Sequence, residues 1–550
     1  RRVLFRSALV VNANFSNSGD PITSQGTLLS GTGTVGSTDV YGTIKGGNPL
    51  GTLNINGELI LEEGSHFATL ISPNSHSLVS VSGDVTINPN TTYLVGFIPG
   101  SYVGSDLVIL TGNTIQGKFT QVGNGESLAS YFFTNNLVYT GTEVILALTK
   151  KSVTPLASGQ NAINVAGALD NAIHFNRTEV TFNIVPGDVS ADPSPELPRL
   201  LLSLLPYSDD PDAMTYALNE LHPAQLKGLA IAQESNIVQV REAVSQRMQN
   251  ELDLINCSLE KDTRCARNKK TMTPWITGIG ESLGQNTKTN SWGPLTGYRS
   301  NMGGFGVGID GRFAQNFFAG ALSGYTHSHM HWKSDKGQGN ISTGYAGLYL
   351  SGVGKMFYGN ASVIGSWSHY NTDRYIEYGR INKIAKNSHG GSQILSHLDT
   401  GINWNYLDLT IRPFDSVDYI SQVENSYTEY NAGDWNLHVK NNNEIMIRNE
   451  LGLQLAKCFC AWNSKWTIAP KLSWIYESRV KGNHFTTNFV GGGTPFFIEG
   501  YFPDRSLFAP GIVVTGMMLE DSLAFNLYYN GEFGSGYSAN TYGGQVRYAF

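Results

Sequence analysis

The sequence predicts an all-β fold with a helical linker, in which a β-solenoid segment precedes a transmembrane β-barrel of about twelve antiparallel strands. Three observations lead to this prediction. Glycine occurs 62 times in 550 residues while only 15% of residues are charged, which is typical of turn-rich β-proteins. The hydrophobic spacing changes from short irregular runs to a helical period and then, from residue 273, to alternation. No apolar run approaches the roughly 18 residues of a membrane helix, so a membrane crossing would have to use strands.

The charge balance argues against one class of partner. The net charge is -7 and the isoelectric point is about 6.0. A surface that binds phosphate needs clustered Lys and Arg side chains. We therefore expect no nucleic-acid partner.

The chain begins without Met, and its first residues, RRVLFRS, resemble a translated sequencing adapter. We expect residues 1–7 to be an artefact and residues 1–50 to belong to a longer upstream segment. A signal peptide would then lie upstream of that segment.

Short runs of Val, Ile, Leu and Thr alternate with Gly, Asn and Ser up to residue 150. Strands this short, with hardly any charge, predict stacked coils of a β-solenoid, each burying its face on the next. Gly31, Gly33 and Gly36 have the spacing of a dinucleotide-binding fingerprint. That motif requires a following helix, which this sequence does not predict, so solenoid turns are the preferred interpretation.

Residues 151–272 have helical spacing and form the predicted linker. Short helices are predicted at Asn161–Leu169 and Pro195–Leu205. Asp210 followed by Pro211 predicts a further helix start, since Asp caps a helix and Pro suits its first position.

A longer helix is predicted at about residues 235–256. Its apolar stripe includes Val240, Val244 and Met248, and its polar surface includes Arg241 and Arg247. It could be a surface helix packed on a domain or a helix threaded through a polar pore. The strands that follow favour the pore.

Residues 273–550 predict about twelve amphipathic strands. In one of them, Phe305, Val307 and Ile309 oppose Asp310 and Arg312. A charge at the lipid midplane would cost roughly 2–4 kcal/mol, so charged side chains are expected to face an aqueous lumen. The lumen candidates are Arg312, Asp399, Arg448, Glu450, Lys471, Glu477 and Arg547. Strands near Asn340 and Ser506 sort less cleanly into two faces.

The links between strands support closure into a barrel. Outer-membrane barrels have short periplasmic turns and longer outer loops. Short links are predicted near Gln315, Lys355, Asn405, Asn463 and Asp521. Longer ones are predicted near Asn290, Lys333, Ile384, Asn436 and Phe496. A barrel of this size has room for a helix roughly 10 Å across, so we expect the long helix to contact the lumen candidates.

The last strand has two clear faces. Tyr542, Val546, Tyr548 and Phe550 lie on one side, suited to lipid, and the residues between them, including Arg547, on the other.

This organisation resembles that of the monomeric bacterial autotransporters, the type V secretion family. The segment from Gly46 to Gly57, with Gly117 and Val144 further on, resembles the membrane-proximal end of an autotransporter passenger. The resemblance implies a right-handed β-solenoid passenger fragment at residues 1–50, an autochaperone-like solenoid end at 51–150, a helical linker at 151–272 and the β-barrel at 273–550.

The resemblance implies an outer-membrane translocator that exports and anchors a passenger at the cell surface. The barrel-assembly machinery would recognise Tyr542, Val546, Tyr548 and Phe550. The expected partners are outer-membrane lipid, this machinery and a host or surface ligand contacted through the passenger. A monomer without cofactor or enzymatic activity is expected. Two alternatives stay open: a surface-attached adhesin with an uncleaved passenger, and a porin-like protein.

Three further patterns resemble a cleavage position, a catalytic motif and a metal site. Relatives are often cleaved next to paired Asn within the pore; Asn250–Glu251 is the nearest equivalent, and cleavage stays open. Gly280, Ser282 and Gly284 have the spacing of a nucleophile elbow, but they fall in a predicted barrel strand. His327, His329 and His331 share one strand face, where a polar rim is preferred over a metal site. No catalytic, cofactor-binding or metal-binding residue is therefore assigned.

Overall fold

The structure is a computed structural model of the chain. It describes residues 3–5, 8–16, 21–72, 74–97, 100–101, 105–123, 133–150, 152–171, 174–175, 200–201, 203–207, 210–257, 272–314, 316–354, 356–406, 409–461, 464–482, 484–500, 505–518 and 522–549. The chain forms two compact units. The first comprises Arg1–Ala157, Ala166–Met214 and Gly491–Thr494, and the second Ser158–Val165, Thr215–Val490 and Pro495–Phe550.

Short strands dominate the first unit. They are β1 (Val3–Phe5), β2 (Leu9–Val10), β3 (Asn14–Phe15), β4 (Pro21–Thr23), β5 (Leu28–Ser30), β6 (Thr34–Val35), β7 (Thr38–Val40), β8 (Thr43–Lys45), β9 (Gly51–Ile55), β10 (Leu59–Leu61), β11 (His66–Ser72), β12 (Ser75–Val81), β13 (Val85–Ile87), β14 (Thr92–Phe97), β15 (Gly100–Ser101), β16 (Ser105–Thr111), β17 (Ile115–Gln116), β18 (Gln121–Gly123), β19 (Phe133–Tyr139), β20 (Glu143–Lys150) and β21 (His174–Phe175).

These strands stack as three parallel faces. β1, β4, β7, β10, β13 and β17 form one face, β2, β5, β8, β11, β14 and β18 the second, and β3, β6, β9, β12 and β16 the third. Leu29, Ile44, Phe67 and Tyr93 occupy equivalent positions in successive coils and are fully buried. The antiparallel hairpin β19–β20 continues the third face. This arrangement is the predicted solenoid; its predicted right-handedness stays a prediction.

The glycine motif near the start lies where neighbouring coils approach closely. A Cβ atom at Gly31 would lie 2.0 Å from the backbone oxygen of Val11, and one at Gly33 would lie 2.2 Å from that of Ala13. The spacing therefore reflects backbone contact between coils, as expected for solenoid turns.

The linker contains α-helices at Gln160–Asp170, Pro211–Leu221 and Lys227–Cys257. Short 3₁₀ helices occur at Thr154–Leu156, Leu205–Tyr207 and Ala224–Leu226, and in the barrel loops at Lys333–Asp335 and Gly433–Trp435. The side chain of Asp210 accepts hydrogen bonds from the backbone of Asp212 and Ala213, which confirms the predicted cap. Most of the predicted helix Pro195–Leu205 lies outside the described residues. Among the described residues, no helix is both long and apolar enough to span a membrane.

The second unit is built from long antiparallel strands and short strands in their connections. They are β22 (Met272–Gln285), β23 (Lys288–Asn290), β24 (Gly293–Leu295), β25 (Tyr298–Ala314), β26 (Phe317–Trp332), β27 (Gly337–Val353), β28 (Phe357–Tyr378), β29 (Ile381–Ile402), β30 (Trp404–Tyr406), β31 (Leu409–Glu424), β32 (Tyr427–Thr428), β33 (Leu437–Val439), β34 (Asn442–Ala461), β35 (Ser464–Lys481), β36 (His484–Phe489), β37 (Phe496–Glu499), β38 (Arg505–Met518), β39 (Leu523–Gly534) and β40 (Tyr537–Tyr548).

Twelve of the described strands, all except the short β23, β24, β30, β32, β33, β36 and β37, close into a barrel. The first strand pairs with the last, Trp275 opposite Arg547, and β29 pairs with β31. Closure leaves no sheet edge exposed to hydrocarbon, which a membrane-spanning sheet requires. The prediction of a twelve-stranded antiparallel barrel is confirmed.

The two predicted faces are present. Phe305, Val307 and Ile309 are exposed on the outside, whereas Asp310 is buried inside. The strands near Asn340 and Ser506 sorted poorly because both of their faces are apolar. On β27, for example, Leu348 points outward while its neighbour Tyr349 is buried.

Two of the predicted long links are wrong. β28 and β29 form an extended hairpin whose turn consists of Gly379 and Arg380, so the region near Ile384 is strand rather than loop. The link near Lys333 is one 3₁₀ turn. Long amphipathic hairpins alternate beyond the membrane as well as within it, so the sequence pattern did not mark their ends.

Candidate functional site

The helix Lys227–Cys257, called here the lumen helix, runs inside the barrel. It contacts β22, β25–β29, β31 and β40, and its described side chains are almost all buried. It begins at Lys227 rather than near residue 235. A helix outside the barrel would leave one face exposed, so the surface-helix interpretation is wrong.

The helix has a defined direction. Short turns join the strands at the end of the barrel where β22 begins and β40 finishes, called here the inner end. Glu251 contacts Arg312 and Arg547 at that end. Lys227 contacts Glu444, near the start of β34, at the opposite, outer end. In outer-membrane barrels the short turns face the periplasm, so the helix enters from outside and leads inward.

One side of the lumen is apolar. Val240, Val244 and Met248 pack into a buried cluster with lumen-facing residues of β22 and β25–β29 and of β31 and β34, namely Trp275, Ile279, Met302, Phe318, Leu322, Tyr345, Tyr349, Ile364, Leu395, Ile420 and Met446. The sequence pattern predicts an aqueous interior and does not predict this cluster. Its signal was present as apolar residues at adjacent positions, such as Trp275 beside Ile276.

Arg247 is the best-supported charge at the inner end. Its Nε and Nη2 donate to Asp310 on β25, both at 2.7 Å, and its Nη1 donates to Glu251 at 2.8 Å. Tyr349 also donates to Asp310 at 2.7 Å, and Trp275 donates to Tyr349 at 2.8 Å. A fork of donors on a carboxylate fixes orientation as well as distance. The contact therefore sets the rotation of the helix in the lumen.

Glu251 collects the remaining cations of the inner end. Its Oε2 lies 3.2 Å from Arg312, and its Oε1 lies 3.3 Å from Arg547 and 2.8 Å from Arg247. Two of the predicted lumen residues, Arg312 and Arg547, therefore contact Glu251 of the helix, which also pairs with Arg247 of the same helix.

The middle of the helix faces the polar side of the lumen. Arg241 donates to Asp418 at 3.1 Å, and Asp418 also lies 2.6 Å from His397. Glu242 accepts from Asn530 at 2.9 Å and lies 3.5 Å from Lys471. Arg241, Glu242 and Asp418 thus each have a partner of opposite charge, as burial of a charge requires.

The other predicted lumen residues form a network around these pairs. Lys471 lies 3.2 Å from Glu450, and Arg448 donates to Glu477 at 2.7 Å. Asp399 makes no hydrogen bond or ion pair with the helix side chains that the structure describes; it accepts from Tyr358 at 3.2 Å and from Asn360 at 2.8 Å. Asp418, Glu444, Arg479 and Glu532 also lie in the lumen but were not among the predicted residues. Glu444 and Arg479 have the same parity as the predicted Arg448 and Glu477 on their own strands, and Asp418 pairs with Arg448 across the sheet.

The outer end is held by two lumen-helix contacts and a loop. Lys227 donates to Glu444, and Arg479 donates to Glu234. Four β-strands of the outer connections, β32, β33, β36 and β37, pair in a separate small sheet.

Beside this sheet, Arg374 is fully buried and closes the loop onto the linker. Its Nε and Nη2 donate to Glu429 at 2.8 and 2.6 Å, its Nη2 donates to the backbone oxygen of Trp435 at 2.9 Å, and its Nη1 donates to that of Glu220 at 3.3 Å. One side chain thereby joins β28, an outer loop and the helix that precedes the lumen helix.

The last strand presents its predicted outer face. Tyr542, Val546 and Tyr548 are exposed on the outside of β40, while Arg547 is buried. Phe550 lies outside the described residues. The Gly280–Gly284 motif lies wholly within β22, paired on both sides, so it does not form the strand-to-helix turn of a nucleophile elbow.

Residues 275–530 match the family model of the autotransporter β-domain. This region is an autotransporter β-domain. The β-domain is an outer-membrane translocator unit, which transports a passenger and is embedded in lipid. No curated protein sequence matches the chain.

Solved structures similar to the β-domain include three autotransporter units. The translocator domain of NalP from Neisseria meningitidis is 12% identical, with 57% of this chain and 98% of that chain covered and a TM-score of 0.43. The β-domain of the Bordetella autotransporter BrkA is 18% identical, with 51% of this chain and 100% of that chain covered and a TM-score of 0.40. The transport unit of the autotransporter AIDA-I from Escherichia coli is 13% identical, with 55% of this chain and 97% of that chain covered and a TM-score of 0.33.

Proposed function

We propose that this translocator exports the N-terminal solenoid, anchors it at the cell surface and then closes its own pore with the lumen helix. Coils that stack outside the cell would favour net outward movement, since each one buries its face on the last. The β-domain is a transport domain, and we propose that the chain acts without catalysis.

The direction of the lumen helix carries this proposal. A helix that begins at the outer end and leads to the inner end has the residues directly before Lys227, Ala224–Leu226 of the same unit, at the outer end. Buried charge pairs at Arg247, Arg241 and Glu234 support a final, occupied state rather than an open channel.

Protease treatment of intact cells tests the proposal. Peptides from residues 1–150 should be released while peptides from β25–β40 stay protected. Permeabilised cells provide the control, because both regions then become accessible to the protease. A chain that is wholly protected in intact cells would contradict surface display.

We also propose that the barrel-assembly machinery recognises Tyr542, Val546, Tyr548 and Phe550. Support comes from the exposed apolar side of β40, which is available before insertion. Replacing Tyr548 and Val546 with Ser should leave more chain in the periplasm than the paired replacement of Phe305 and Val307, which lie on an equally apolar face of β25. Equal accumulation would indicate a general loss of hydrophobicity.

A second candidate is a surface-attached adhesin whose passenger is not cleaved. Asn250, the first residue of the candidate cleavage position Asn250–Glu251, is buried within the continuous lumen helix and accepts a hydrogen bond from Thr515 at 3.0 Å. This placement favours an intact chain. A gel of washed cells separates the two outcomes: one full-length band supports attachment, and separate passenger and barrel bands support release.

A further inference from the structure

Three histidines form a column on the outside of β26, just beyond the apolar band. His327, His329 and His331 occupy alternate positions, so their side chains share one face of the strand. The preceding outward residue on β26 is Tyr325. Trp367 on β28 lies at the same height, since both residues pair with Gly344 of the intervening strand β27, and both aromatic side chains are exposed. Aromatic side chains of this kind mark the membrane–water interface. The histidines therefore lie on the watery side of the outer interface.

Two of these imidazoles converge. Nε2 of His329 lies 2.7 Å from Nε2 of His331, with ring centroids 4.3 Å apart. Nδ1 of His329 lies 2.7 Å from Oδ1 of Asn340 on β27. With the Nδ1 proton directed to that oxygen, the Nε2 lone pair of His329 points toward His331. A histidine that binds a metal through one ring nitrogen characteristically donates the N–H of its other ring nitrogen to an oxygen in this way.

We propose that His329 and His331 chelate a divalent copper ion. Metal–nitrogen bonds of about 2.0 Å at right angles place two ligand nitrogens about 2.8 Å apart, whereas tetrahedral angles require about 3.3 Å. The observed 2.7 Å is close to the right-angled arrangement. Tetragonal geometry with nitrogen and oxygen ligands is typical of Cu²⁺, which also binds most strongly among the divalent first-row ions.

The protein supplies two of the ligands. Among the described residues, no group of three His, Cys, Asp or Glu side chains is placed to hold a metal ion together. His327 lies two residues before His329 on the strand, roughly 6.6 Å away at the usual strand rise. Its Nδ1 lies 3.1 Å from the hydroxyl of Ser342 instead. Water or an anionic group in the surrounding surface layer would complete the coordination.

Electron paramagnetic resonance tests this site on the full chain in detergent, produced without a histidine tag. One equivalent of Cu²⁺ should give an axial signal with splitting from two nitrogens. His329→Gln and His331→Gln should each abolish that signal. Asn340→Ala should weaken binding about 10- to 100-fold, since it removes the group that orients His329.

His327→Gln and His369→Gln provide matched controls on the same outer surface, since His369 is an exposed residue of β28. Both should keep the two-nitrogen signal, because neither residue belongs to the pair. A wild-type chain that binds no copper at one equivalent would overturn the proposal and leave a shared proton between the imidazoles. The same signal in His329→Gln and wild type would also overturn it. All variants should fold, because the site is on the surface, and unchanged gel mobility of the folded barrel checks this.

Discussion

The two ends of the lumen helix are held differently. At the inner end, every carboxylate oxygen of Asp310 and Glu251 has a partner, supplied by Arg247, Arg312, Arg547 and Tyr349. At the outer end, Glu234 and Glu444 each have one oxygen that accepts no hydrogen bond from the described residues. Three cations surround two carboxylates at the inner end. At the outer end, Lys227 pairs with Glu444, and Arg479 pairs with Glu234 and Glu477.

The difference indicates which end fixes the helix. Ion pairs buried in a lumen stabilise only when geometry and hydrogen bonding are nearly complete. The carboxylates of the inner end meet that condition, and the carboxylates of the outer end meet it less fully. The inner end therefore sets the position of the helix. The outer contacts, including the hydrogen bonds of Arg374 to Glu429, Trp435 and Glu220, cover the mouth of the barrel.

Replacing Arg247 should have the largest effect. Arg247→Met leaves Asp310 buried without its forked partner, and removing one member of a buried ion pair typically costs about 3–5 kcal/mol. The unfolding temperature of the detergent-solubilised barrel should fall, and single-channel conductance should rise because the inner end of the helix is released.

A double variant tests whether the pair itself is responsible. Adding Asp310→Ala to Arg247→Met removes the unpaired charge and should recover part of the lost stability. If the double variant is no more stable than the single one, the loss comes from altered packing rather than from the ion pair.

Much of the barrel could be predicted from alternation alone. Lipid accepts charge so poorly that parity assigns a side to residues such as Arg312 and Lys471, and closure then follows from the number of strands. The two failures have physical causes. Alternation continues beyond the membrane in the β28–β29 hairpin, so it does not locate strand ends. Apolar side chains are also allowed inside, where the lumen helix covers them, so β27 shows no two-sided pattern.

The partners within the lumen could not be predicted. Strand alternation places Asp310 in the lumen, and the predicted pore helix brings Glu251 there as well. Neither pattern gives the height of the helix in the lumen or its rotation. These depend on the fit between Arg247 and Asp310, which are 63 positions apart in the sequence. The predicted residue Asp399 lies on the correct face, yet its described partners are Tyr358 and Asn360 rather than a described side chain of the helix, for the same reason.

Replacing Arg479 tests the outer end. Arg479→Met removes the cation from Glu234, but this carboxylate already has an oxygen without a hydrogen bond among the described residues. The expected loss is about 2 kcal/mol, in the range for an unsatisfied buried group. The same thermal measurement applies. A loss larger than that of Arg247→Met would reverse the assignment of the anchoring end.

Trp275→Phe tests the support behind Asp310. The change removes the N–H that donates to Tyr349 while keeping an aromatic ring against the helix. A loss of about 1 kcal/mol is expected, the usual contribution of one hydrogen bond. Trp367→Phe on the outer face is the control, because its ring is exposed and makes no lumen contact. Equal losses would show that the hydrogen bond to Tyr349 contributes nothing specific.

Arg312→Gln should have the smallest effect and separates geometry from charge. The Arg312 side chain is 25% exposed and makes one contact of 3.2 Å with Glu251, which keeps Arg247 and Arg547 as partners. A partly hydrated pair of this kind should contribute less than about 1 kcal/mol. Arg247 and Arg312 carry the same charge, so a simple excess of cations would make the two replacements equivalent. A loss in Arg312→Gln as large as that in Arg247→Met would mean that the inner end holds the helix through its total charge and not through the fork on Asp310.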